Sequence, residues 1–146
     1  MKRLLLLAVV AVMAAGTATA QIQIGKKNEK VETLGSVRMG AIALKKGFGD
    51  FYITGQTTNR FDDPIILDLG KTKEQARESF EGLLSLFDLG NKESANFKDA
   101  NGREWFVIKY GGSGKGSMSF DCRDEAQAGM FTIHRFEMVN LGKKLK

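Results

Sequence analysis

Few residues in this chain have types and spacings that suggest chemistry. Gly111-Gly112-Ser113-Gly114-Lys115-Gly116-Ser117 has the composition of a phosphate-binding loop. A Walker loop needs glycine five positions before its Gly-Lys pair and Ser or Thr directly after the lysine. Here Lys109 and Gly116 stand in those places, and a strand-like stretch follows instead of a helix N-terminus that would hold an anion. The run therefore reads as a glycine-rich hairpin connection. Cys122 and His134 are the single cysteine and the single histidine. A nucleophilic thiol needs a nearby base and a third group to orient it, and no local signature surrounds Cys122. It reads as a buried, inert thiol. Asp62, Asp63 and Asp68 lie close in sequence but lack the alternating ligand series of a calcium loop. One His and one Cys do not make a usual zinc site. No cofactor and no metal ligand are expected. Carboxylates distant in sequence can meet in space, as glycoside hydrolysis requires, yet no pair stands out.

Trp105 and Tyr110 lie in a strand-like run. Trp105, Val107 and Lys109 share one face by alternation, and Phe106, Ile108 and Tyr110 share the other. The second set is the more apolar and is the expected core face. Trp105 and Val107 are then the expected binding surface.

These residues must be positioned by a small set of elements. Residues 21–34 read as a polar N-terminal arm, ordered in part as an edge strand. Strands are expected over Val37–Leu44, Phe51–Thr54 and Ile65–Leu69. The clearest helix follows, at about 72–89. Thr72 and Gln75 form a capping box. Ala76, Phe80, Leu83, Leu84 and Phe87 make one apolar stripe, and Gly90 ends the run. Asn101-Gly102 marks a tight turn between two more strands, the second being Trp105–Tyr110. Ser117–Cys122 follows, and Met130–Thr132 leads as a strand into a short C-terminal helix marked by Phe136, Leu141 and Leu145. The expected fold is α+β: a single antiparallel sheet with the helices on one face, over residues 35–146 as one domain. No internal repeat is evident.

Residues 1–20 carry the marks of a cleavable signal peptide: Lys2 and Arg3, an apolar run from Leu4 to Ala15, and Ala18-Thr19-Ala20 as the exit. The apolar run is short for a membrane span. Removing the signal leaves 20 basic against 17 acidic residues, a charge of +3 in place of the full chain's +5. The charges are scattered, which disfavours a nucleic-acid face. About 126 residues remain, enough for a core without disulfides. The expectation is an exported domain of the periplasm or cell exterior, with no transmembrane segment after cleavage. It is read as a non-catalytic binding module for an envelope protein or small molecule. Two alternatives stand beside it. One is a carrier of a small apolar ligand in a pocket between helix and sheet, lined by Phe80, Leu84 and Phe87. The other is a hydrolase with an unrecognised carboxylate site.

Overall fold

The computed structural model describes residues 30–57, 59 and 61–146. The expected signal segment, residues 1–20, and most of the expected arm lie outside the described residues. Glu32–Lys146 forms one compact unit. Its strands are β1 (Glu32–Val37), β2 (Ile42–Gly47), β3 (Asp50–Gly55), β4 (Ile65–Gly70), β5 (Ser94–Lys98), β6 (Glu104–Tyr110), β7 (Ser117–Cys122) and β8 (Gly129–His134). Its helices are α1 (Lys73–Ser85), extended by a 3-10 turn over Leu86–Asp88, and α2 (Arg135–Gly142).

The expected single sheet is in fact two. Strands β1 to β4 form one antiparallel meander and β5 to β8 a second, with no ladder between them. Each meander runs straight into a helix, so the described residues form four strands and a helix, twice over. The separation has a local cause at β4. In its pairing with β3, the residues Ile66 and Asp68 aim their backbone groups away from the sheet. Both are already occupied. The Gln127 side-chain amide donates to the Ile66 carbonyl and accepts from the Ile66 N–H. The Asp68 N–H donates to Asp99 Oδ2, and the Asp68 carbonyl accepts from Ala100 N–H. A strand edge whose outward groups are already bonded cannot accept another strand.

The expected strand Val37–Leu44 is likewise divided. The chain turns at Arg38, Met39 and Gly40, whose φ values are 54°, 57° and 90°. Two consecutive non-glycine residues in the left-handed region are costly, and distant contacts hold them there. The Arg38 guanidinium makes a two-pronged pair with Glu137, at 2.9 and 2.8 Å, and donates to the Thr132 carbonyl at 2.8 Å. Strand β1 also begins at Glu32, within the stretch expected as an arm.

Helix α1 forms where its cap and stripe require. Gln75 N–H donates to Thr72 Oγ1, and the Gln75 side chain accepts from Thr72 N–H. Ala76, Phe80, Leu83 and Phe87 are buried against the sheets, while Leu84 is half-buried. In α2 the buried residues include Met138 and Leu141, whereas Phe136 is exposed. One core is shared by both sheets and both helices. The sheets touch at Gly55, where a side chain would fall 2.3 Å from a Phe131 ring carbon. Only glycine fits there.

Candidate functional site

Trp105 and Val107 are fully buried, as is Lys109 beside them. Tyr110 is exposed, and Phe106 and Ile108 are half-buried. The expected binding surface is therefore core, and the two faces of β6 are reversed. The reason lies in partners that alternation cannot reveal. Trp105 stacks on Phe97 with ring centroids 6.3 Å apart and meets Phe120 and Phe131 edge-on. Its indole N–H donates to Asp99 Oδ2 at 3.1 Å. Lys109 runs beneath the glycine-rich loop and donates to the Gly111 and Gly112 carbonyls. A buried lysine so partnered makes the polar member of an apolar row tolerable. The glycine-rich run is thus the β6–β7 connection, pinned from below.

Phe80, Leu84 and Phe87 do not come together in a pocket between helix and sheet. Phe80 and Leu84 line a groove of about 280 Å³ between α1 and α2, with Val139 and Leu145 opposite, while Phe87 is in the core. Cys122 is buried, its sulfur 3.6 Å from the Gln127 amide nitrogen. Cys122 is opposite Gly129 in the β7–β8 ladder, and His134 is opposite Ser117. Five ladder positions at roughly 3.4 Å each keep the thiol and imidazole far apart. Asp62 and Asp63 are exposed and apart from the buried Asp68. Among the described residues no cluster of three or more His, Cys, Asp or Glu is arranged to hold a metal, and no helix is long and apolar enough to cross a membrane.

The residue at the hub of a candidate site is one the sequence did not single out. Asp99 closes the β5–β6 turn. Its Oδ1 accepts from the N–H groups of Asn101 and Arg103, and its Oδ2 from those of Asp68 and Trp105. Its side chain is fully buried, with Arg103 4.0 Å away. This one carboxylate joins the turn, the core indole and the β4 edge. The signal for it was an aspartate two residues before Asn101-Gly102, where Asx turns form.

The groove beside this hub measures about 250 Å³ and runs between β4, α1 and the end of β5. Leu67, Leu83, Leu86 and Phe97 give it an apolar wall. Its rim includes β5, whose outer side is open. Lys109 N–H donates to the Glu93 carbonyl and Asp99 N–H to the Arg103 carbonyl. With the β5–β6 register, this aims Ala95 and Phe97 at β6 and the backbone of Ser94, Asn96 and Lys98 outward. No described group bonds these outward N–H and C=O groups. The other edges differ. Gln127, Asp99 and Ala100 close β4. At β8, Arg38 holds the Thr132 carbonyl and the Glu137 carboxylate accepts from His134 N–H. A bulge between Thr33 and Gly35 interrupts β1.

Among the described residues, two carboxylates depart from ordinary titration. Burial pushes the Asp68 carboxyl up, and the negative charges of Asp50 and Asp99 push the same way, against the Gly70 N–H and Arg103. Burial alone would also raise Glu137, but the Arg38 bonds and the His134 N–H outweigh it and hold this carboxyl below its usual value. For Asp68 the folded chain binds the proton more tightly than the unfolded chain. Its contribution to stability is therefore full below the unfolded aspartate pKa of about 3.9 and is lost as pH rises through the folded value. Asp68→Asn keeps an acceptor for Gly70 N–H. It is expected to melt at a higher temperature than the parent at pH 7, with the gap closing as the pH falls toward 4. A gap of the opposite sign, or one independent of pH, would contradict this account of Asp68.

Comparison with family models, with curated proteins and with solved structures finds no match to this chain. The fold is that of an α+β protein built from two four-stranded antiparallel meanders.

Proposed function

We propose that this chain is an exported, non-catalytic binding module that takes an extended peptide segment as an added strand along β5. The single observation that carries the reading is the state of β5: an edge whose outward N–H and C=O groups meet no described partner, beside an apolar groove, in a unit whose β4 edge is closed. Strand addition takes its affinity from backbone hydrogen bonds and its selectivity from pockets that receive alternate side chains. The β5 edge supplies the first and the Leu67, Leu83, Leu86 and Phe97 wall supplies the second. Export rests on residues 1–20 as a signal peptide and places the partner in the periplasm or cell exterior.

Asn96→Pro tests the reading. The Asn96 N–H points away from β6, so proline there removes no internal ladder bond, and an edge strand tolerates it. The variant is expected to keep the parent's circular dichroism and to lose at least about tenfold in affinity for a capped peptide of alternating threonine and valine ending in norleucine. Tenfold corresponds to about 1.4 kcal/mol, the scale of one or two lost hydrogen bonds. Undiminished binding by a folded Asn96→Pro chain, or no binding by the parent, would overturn it.

A further inference from the structure

A second cavity adjoins the apolar groove at its end nearest the β5–β6 turn. It measures about 370 Å³, and the two share Asp68, Ser79 and Ala100 as lining. The second cavity is acidic. Asp50, Asp68 and Glu78 line it, and among the described residues Lys71 is the one basic residue that does. Lys71 reaches Asp50 at 3.4 Å, but its side chain is 79% exposed. A pair so solvated holds weakly and is readily displaced.

Asp68 sets this cavity apart from a surface cluster of acids. The residue is only 9% exposed. Its Oδ1 accepts from Gly70 N–H at 3.1 Å, while its Oδ2 accepts no hydrogen bond from any described residue. Buried carboxylate oxygens are ordinarily paired. An unpaired one at the junction of two cavities is placed to receive a donor from outside. Arg103, whose charge acts on Asp68, is directed instead to Asp99 at 4.0 Å and Asp124 at 3.5 Å.

We infer that the peptide on β5 is read at two adjoining places, an apolar side chain in the groove walled by Leu67, Leu83, Leu86 and Phe97, and a lysine or arginine in the cavity of Asp50, Asp68 and Glu78. This rests on the strand-addition reading. The order of the two places follows the chain. The groove borders Phe97 and Lys98, and the acidic cavity borders Ala100 and Asn101. The basic residue therefore lies at the end of the bound segment nearest the β5–β6 turn. That is its N-terminal end if the segment runs antiparallel to β5, and its C-terminal end if parallel. The incoming cation would supply the missing donor to Asp68 Oδ2 and offset the mutual repulsion of the aspartates.

The test uses four capped peptides of alternating threonine and valine. Two carry lysine, one at either end, and two carry norleucine in the same places. They are titrated by fluorescence anisotropy against the parent, Asp68→Asn and Asp50→Asn. On the parent, one lysine peptide is expected to bind about tenfold more tightly than its norleucine partner. That preference is expected to vanish with Asp68→Asn and to shrink with Asp50→Asn. Equal binding of lysine and norleucine peptides by the parent would overturn the acidic cavity and leave strand addition standing. Failure of all four peptides to bind would overturn both. A lysine preference that survives in both folded variants would assign it to another site.

Discussion

Asp99→Ala is expected to lower the unfolding free energy by about 3–5 kcal/mol, the cost of stranding several buried donors at once. Four N–H groups end on this carboxylate, those of Asp68, Asn101, Arg103 and the Trp105 indole. Trp105 is fully buried, so its indole N–H would have no water to turn to. The Asp68 N–H would also be freed, loosening the contact that closes the β4 edge. Asp99→Asn is the graded companion. Its amide keeps one acceptor oxygen but sets an NH2 group against the remaining donors, so an intermediate loss is expected. Urea unfolding of the three chains measures the series. A loss below about 1 kcal/mol for Asp99→Ala would mean that the turn, the indole and the strand edge do not depend on one another.

Trp105→Ala is expected to cost a similar amount, about 3–5 kcal/mol, by opening a cavity in the aromatic cluster of Phe97, Phe120 and Phe131. Phe106→Ala, one residue along on the opposite face, should cost about 1 kcal/mol or less, because its ring is half-buried, with the Arg123 guanidinium over it at 4.7 Å. The pair tests which face of β6 is core. The reverse order of losses would restore Trp105 and Val107 as surface.

What the sequence could tell differed from element to element, for physical reasons. Helix α1 was legible because its determinants are local: a capping box, an acidic first turn and an apolar stripe within one segment. Strands β4, β6 and β7 were legible as apolar runs between turns. The turn at Arg38 to Gly40 was not. Its backbone is held by Glu137 and Thr132, about a hundred residues away, and a single Gly40 is a poor local sign of it. The division into two sheets was hidden for the same reason. It depends on Gln127 and Asp99 saturating β4, and side chains that mimic a neighbouring strand leave no periodic trace. The doubled order of four strands and a helix also escapes inspection, because its halves share layout more than residues: Thr72 and Gln75 cap one helix, His134 and Glu137 the other. The reversed face of β6 shows the limit of alternation. Lys109 looked like the mark of a solvent face, yet it is buried with its ammonium on two backbone carbonyls. The candidate site depended on the same long-range facts. Phe80 and Leu84 were rightly read as apolar, but the topology sets them in a groove between the helices. The β5 edge became visible only once its register with β6 showed which of its backbone groups face outward.

Amide hydrogen exchange on the full folded chain, with and without the lysine-bearing threonine–valine peptide that binds more tightly, tests the central claim most directly. In the free protein the N–H groups of Ala95 and Phe97, bonded to β6, should be protected, while those of Ser94, Asn96 and Lys98 exchange quickly. Adding peptide should slow Ser94, Asn96 and Lys98 and leave the β4 and β8 edges as they were. Protection of those three amides before any peptide is added, or slowing confined to another edge or face, would contradict β5 as the docking strand.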